Sequence, residues 1–171
     1  MRVAHFGTCC TTFARAAHPC YRSNAFPLGT PTALSKPKNA ARIRESNALT
    51  DFTVQFFEEV AKNGGIATLE NPATSLIWRH PSILPLVKKY SMDTFCMCSY
   101  GCRYRKRTRV LSSWPGLQRL QSRCRHKRHH IVLSGTIKFR GRWITATKLG
   151  NRYPKRLCSK WAQLLAAKCS R

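Results

Sequence analysis

A chain of 171 residues with 31 Lys and Arg against 6 Asp and Glu carries a formal charge of +25, far beyond what solubility requires, which implies a polyanionic partner. The length supports one buried core and a single domain, and no apolar run reaches the ~18 residues that would span a membrane. Nine cysteines are an odd number and no charged-then-apolar leader opens the chain, so disulfides are not expected and a reducing intracellular compartment, the nucleus included, is favoured over secretion.

"RVAHFG" predicts a short buried strand, and residues 14–39, broken by Pro27, Gly29, Pro31, Ser35 and Pro37, predict a long functional loop. Between Ala40 and Asn63, Ile43, Phe52, Phe56, Phe57 and Val60 recur near helical spacing, and "NGG" supplies the stop. "IATLENP" is a strand that Pro72 ends, followed by two short helical pieces separated by Pro81 and Pro85. "DTFCMCSYG" alternates Phe95 and Met97 against Cys96 and Cys98, and "TRVLSSW" follows as a neighbouring strand. Beyond Trp114 come a helical piece "GLQRLQSRC", a strand "HIVLSGTIKF" and a closing helix from about Pro154 to Lys168, with Leu157, Trp161, Leu164 and Leu165 on one face. The alternation of strands and helices predicts an α/β sheet.

Charge is unevenly spread. No acid follows Asp93, while "RYRKRTR", "RCRHKRHH" and "NRYPKRLCSK" concentrate cations, so the back half suits a phosphate backbone. Arg103, Lys106, Arg109, Arg125, Lys127 and Arg128 are the candidate contacts, and DNA is the expected partner. Trp78, Trp114 and Trp143 are candidate stacking groups, although most tryptophans serve the core.

Three stretches offer chemistry. "GTCCTTFARA" lies at the carboxyl end of a strand, where open α/β sheets place ligands, and acid-poor surroundings favour a thiolate at Cys9 or Cys10. Glu70 and Asn71 close the second strand, offering a carboxylate as acid or hydrogen-bond partner or as a simple ion-pair member. "YGCRYRKRTRV" lines up guanidinium groups that clamp phosphates or position the carboxylate.

In order, these stretches resemble the signature blocks of the DNA cytosine-5 methyltransferases, P-C-x-x-F-S, E-N-V, Q-x-R-x-R and G-N-x-x-P-x-x-L, as "CCTTFA", "ENP", "YGCRYRKRTRV" and "GNRYPKRL". The resemblance implies Cys10 as nucleophile on carbon 6 of a flipped cytosine, with Glu70, beside Asn71, holding ring nitrogen 3. It implies two of Arg105, Arg107 and Arg109 as orienting groups, Tyr104 in the place of the glutamine, Asn151 and Pro154 closing the donor pocket, and S-adenosylmethionine as donor. Cys9, Pro72 and Ala14 depart from the pattern near the reacting base.

The implied fold is an incomplete Rossmann-like methyltransferase, α/β and mostly parallel with a terminal antiparallel strand pair. Residues 1–113 would be the catalytic-type part and 114–171 a shortened basic region with a closing helix. The match covers the second half of a catalytic domain, with the donor-binding half missing. That half would come from a second polypeptide or from upstream sequence, or the chain is a relic that only binds nucleic acid. A different class of function is a zinc-stabilised nucleic-acid module using Cys96, Cys98, Cys102 and Cys124 with His126 and His129. That ligand set lacks paired C-x2-C knuckles, so no metal ligands are assigned.

Overall fold

Pro37 opens the longest helix in its first turn, where its missing N–H is not needed, and the chain leaves that helix through Gly64 at φ 70°. In this computed structural model, which describes residues 2–15, 17–127, 129–139 and 141–170, the elements in order are β1 (Val3–Phe6), α1 (Pro31–Leu34), α2 (Pro37–Lys62), β2 (Ile66–Pro72), α3 (Ile83–Lys89), β3 (Ser91–Cys96), β4 (Arg107–Ser112), β5 (Thr136–Phe139), β6 (Arg142–Thr145) and α4 (Lys155–Cys169). The protein is mixed α/β. A four-stranded mixed sheet has the order β1-β2-β4-β3, and β5 and β6 form a separate antiparallel pair. The strands predicted around "DTFCMC" and "TRVLSS" are indeed neighbours.

Two compact units are formed, Met1–Met92 with Arg109–Pro115, and Asp93–Thr108 with Gly116–Arg171. In the first, β1 pairs parallel to β2 with Val3 opposite Ile66 and Phe6 opposite Leu69. Burial of β2 is continuous from Ile66 to Asn71, as expected for an interior strand covered on both faces. Its Ala67 and Leu69 join Phe13, Phe57, Ile77, Ile83, Leu86 and Leu111 in one core, where each large apolar side chain contributes about 1.5–3 kcal/mol.

The helical stripe is narrower than the sequence suggests. Ile43 and Phe57 are fully buried, but Phe52 and Phe56 are half exposed and stack on each other with ring centroids 4.5 Å apart. Phe52 follows Ile43 by nine residues, which at about 100° per residue places it on the opposite side of the helix.

Gly65 turns the chain from α2 into β2. A Cβ there would lie 2.8 Å from Val60 Cγ1 and 2.9 Å from the carbonyl oxygens of Arg2 and Val60. Two of those neighbours are backbone and cannot give way. Gly65→Ala is therefore expected to destabilise the first unit by about 1–3 kcal/mol, read as a lowered urea midpoint.

The second unit buries Phe95, Met97, Tyr100, Leu117, Leu120 and Leu157. Tyr100 meets Phe95 edge-on at 5.8 Å and donates its hydroxyl to the Leu120 carbonyl at 2.6 Å. Three local expectations are corrected here. The strand through "DTFCMCSYG" ends at Cys96, and Met97–Tyr100 is a 3-10 turn, so Cys96 and Cys98 do not share a strand face. The piece after Trp114 is a 3-10 turn at Pro115–Leu120 rather than an α-helix. Of the strand expected over 130–139, only Thr136–Phe139 is regular, because Gly135 at φ 66° breaks it. The closing helix runs Lys155–Cys169, with Leu157 its buried anchor.

Candidate functional site

Parallel pairing brings the carboxyl ends of β1 and β2 side by side, and three contacts then secure the loop that follows β1. Asn71 Nδ2 donates to the Thr8 carbonyl at 2.7 Å. The Leu76 amide donates to the Phe13 carbonyl at 2.9 Å, and Arg15 Nε donates to the Thr74 carbonyl at 3.2 Å. Cys10 thus lies between Thr8 and Phe13, both tied to the segment that carries Glu70. Cys10 is half-buried and Cys9 exposed, while the Glu70 side chain is buried.

Phe13 turns back through its amide onto the Cys10 carbonyl at 3.0 Å and is completely buried, so the "CCTTF" turn is held by its apolar end. Asn71 is buried too, and its Oδ1 has no hydrogen-bond partner among the described residues, a rarity for a buried acceptor. A cleft of about 350 Å³ at the tip of β1 is lined by Gly7, Thr8 and Cys9 from the loop and Leu49, Phe52 and Thr53 from α2. Cys9 rather than Cys10 faces that cleft.

Arg22, which the sequence did not mark, organises the long loop. Its guanidinium is buried and lies 3.9 Å from the centroid of the Phe13 ring. It donates to Thr12 Oγ1 at 3.1 Å, the Pro27 carbonyl at 2.7 Å, Asn47 Oδ1 at 2.7 Å and the Ile43 carbonyl at 3.3 Å. Burial lowers its pKa to about 10, which leaves it charged at neutral pH.

His80 packs edge-on against the other side of this group, 6.1 Å from the Phe13 ring. Removal from water pushes the imidazole below its ordinary value; the Asp51 carboxylate acts against that shift and the Arg22 charge adds to it. A folded-state pKa below the unfolded value of 6.5 means that the unfolded chain takes up the proton first as pH falls. The stabilising contribution is complete above 6.5 and declines from there down through the lower folded-state value. The first unit is expected to denature at lower urea at pH 5.5 than at pH 7.5, and His80→Gln to shrink that difference.

The basic block is divided. Arg109, half-buried in the first unit, has its guanidinium carbon 5.7 Å from the Trp78 ring centroid. Trp78 itself is buried and donates Nε1 to the Pro72 carbonyl at 2.9 Å, so it is a core group rather than a stacking platform. Arg103, Arg105 and Arg107 belong to the second unit and are exposed, as are Arg125 and Lys127. Lys106 is half-buried and donates Nζ to the Gly150 carbonyl at 3.1 Å. Arg128 lies outside the described residues. Trp143, 72% exposed on β6, is the stacking candidate that reaches solvent.

The residues assigned to a methyl donor do not build a pocket for one. Asn151 is exposed at the end of the 3-10 turn Ala146–Asn151, and Pro154 is buried as the residue preceding α4. A cleft of about 530 Å³ beside Pro154 is lined also by Lys155, Arg156 and His126, cationic groups ill matched to a sulfonium.

In the second unit Cys98, Cys124, His126 and His130 present their ligand atoms within 4.8 Å of one another. The set expected from sequence is corrected: Cys96, Cys102 and His129 are not in it among the described residues, and His130 is. The spacing Cys124-x-His126-x3-His130 was the signal available, obscured by two adjacent histidines of which either one could turn inward. No protein-family model, curated protein or solved structure matches this chain.

Proposed function

We propose that the chain carries the base-addressing part of a DNA cytosine-5 methyltransferase-type site, on an incomplete Rossmann-like frame, with Cys10 as nucleophile and Glu70 holding the pyrimidine edge. The observation that carries this reading is the Asn71-to-Thr8 hydrogen bond of 2.7 Å, which fastens the loop bearing Cys10 to the strand end bearing Glu70. A flipped cytosine presents carbon 6 to the Cys10 sulfur and nitrogen 3 to the Glu70 carboxyl. The thiolate forms a bond to carbon 6, the carbon 5–carbon 6 π pair moves to carbon 5, and Glu70 keeps a proton at nitrogen 3 so that no negative charge builds on the ring. Carbon 5 can then take a proton, after which loss of the original hydrogen and expulsion of the sulfur restore the aromatic ring. S-Adenosylmethionine is the methyl source the resemblance implies. The described residues do not form its site, so no step is drawn through it, and a second polypeptide is the proposed supplier.

A second reading, a basic nucleic-acid binder without turnover, is favoured by the exposed Arg103, Arg105, Arg107, Arg125 and Lys127 in a unit whose sole acid is Asp93. Five cations meeting phosphates would give a salt slope of roughly −4 in log K against log salt. The two readings separate on duplex DNA containing 5-azacytosine, which accepts a thiolate at carbon 6 without a methyl donor. The first expects a covalent protein–DNA adduct in the parent chain and in Cys9→Ser but not in Cys10→Ser. Steeply salt-dependent binding with no adduct, or an adduct that survives in Cys10→Ser, overturns the nucleophile assignment.

A further inference from the structure

The geometry points to a zinc site in the second unit, formed by Cys98, Cys124, His126 and His130 in tetrahedral Cys2His2 arrangement. The Cys124 sulfur lies 3.6 Å from His126 Nδ1 and 3.5 Å from His130 Nε2. Zinc takes sulfur at ~2.3 Å and imidazole nitrogen at about 2.0–2.1 Å, so two such ligands at the tetrahedral angle stand roughly 3.5 Å apart. Both measured edges already have that length. The largest ligand-to-ligand separation, 4.8 Å, exceeds a sulfur–sulfur tetrahedral edge of about 3.8 Å by about 1 Å, a movement within the reach of side-chain rotation. The two imidazole rings are splayed at 67° with centroids 5.7 Å apart, which lets each aim one nitrogen at a common point.

Position follows from how the backbone is fastened. Cys98 is buried in the 3-10 turn after β3. The segment carrying the other three ligands is held to the same region at both ends. The Cys96 amide donates to the Ser122 carbonyl at 3.1 Å, Ser99 Oγ to the Arg123 carbonyl at 3.2 Å, and the Ile131 amide to the Arg103 carbonyl at 3.0 Å. Between these ties the segment from 123 to 130 has no regular structure among its described residues, and a metal ion would close it.

The donor set selects the metal. Asp93 is the unit's sole acid, and its Oδ1 accepts from Gln121 Nε2 at 2.6 Å. Two thiolates and two imidazoles suit zinc and disfavour magnesium or calcium. Two thiolates also neutralise a divalent ion, and Arg123, Arg125 and Lys127 alongside favour loss of the thiol protons. The ion would order those cations for phosphate contact. This site is independent of the chemistry proposed for Cys10, which lies in the other unit.

The test is elemental analysis of the full chain purified in reducing buffer without chelator. About one equivalent of zinc per chain is expected, falling about tenfold or more in Cys124→Ser and His130→Ala and unchanged in Cys102→Ser and His129→Ala. Cobalt titrated into the chelator-stripped parent chain gives a second readout that needs no variant: tetrahedral d–d bands with a thiolate-to-cobalt charge-transfer band. Zinc content unaffected by Cys124→Ser, cobalt binding without the thiolate band, or a Cys98–Cys124 disulfide in the reduced preparation would overturn the assignment.

Discussion

Arg22→Met is expected to destabilise the first unit by about 3–4 kcal/mol, a large share of the stability of a domain this size. Methionine restores most of the lost volume against Phe13 but none of the donors. Thr12 Oγ1, Asn47 Oδ1 and the carbonyls of Pro27 and Ile43 would be left with unmet acceptor capacity, and buried unsatisfied groups cost about 1–3 kcal/mol each, less where water enters. Arg22→Lys should recover little, since a single ammonium cannot span acceptors that a planar fork reaches from several directions. Hydrogen exchange of the α2 amides measures the loss. Faster proteolysis between 14 and 30 should accompany it, because Arg22 is the main tie of that loop to α2. Stability within about 0.5 kcal/mol of the parent would contradict this account of the loop.

Glu70→Gln is expected to slow adduct formation on 5-azacytosine DNA by about 10²–10⁴-fold, the usual range for loss of a positioned acid or base. Glutamine keeps the shape and can still hydrogen-bond the base, but it cannot hold a proton at nitrogen 3 while negative charge develops in the ring. Binding to the same DNA should change little, since the electrostatic attraction resides in the exposed cations. A fold-neutral variant that reacts at the parent rate would remove Glu70 from the chemistry and leave Cys10 as an isolated thiol.

Local patterns disclosed much of the frame. The 3.6-residue recurrence of α2, the proline stops after β2 and before α4, and the β-branched and aromatic runs of β1, β2 and β4 each act within a few residues of where they are written. The errors came where tertiary contact outweighs local preference. Phe52 and Phe56 fit the helical count for a buried stripe, yet the sheet covers only the side that Ile43 and Phe57 occupy. "DTFCMCSYG" alternates like one strand, but Met97 begins a turn that buries Cys98 beside the loop around Cys124.

What the amino-acid sequence determined alone was the excess of positive charge, the α/β order of elements and the placing of Cys10 and Glu70 just after or within strand ends. These depend on composition and short-range periodicity. Only the tertiary structure decided that the Cys10 loop is fastened through Asn71, that Arg22 is buried behind Phe13, and that His130 rather than His129 turns toward two cysteines. Each of these contacts joins residues whose partners are chosen by how the chain closes on itself, through long-range backbone hydrogen bonds that no local pattern encodes.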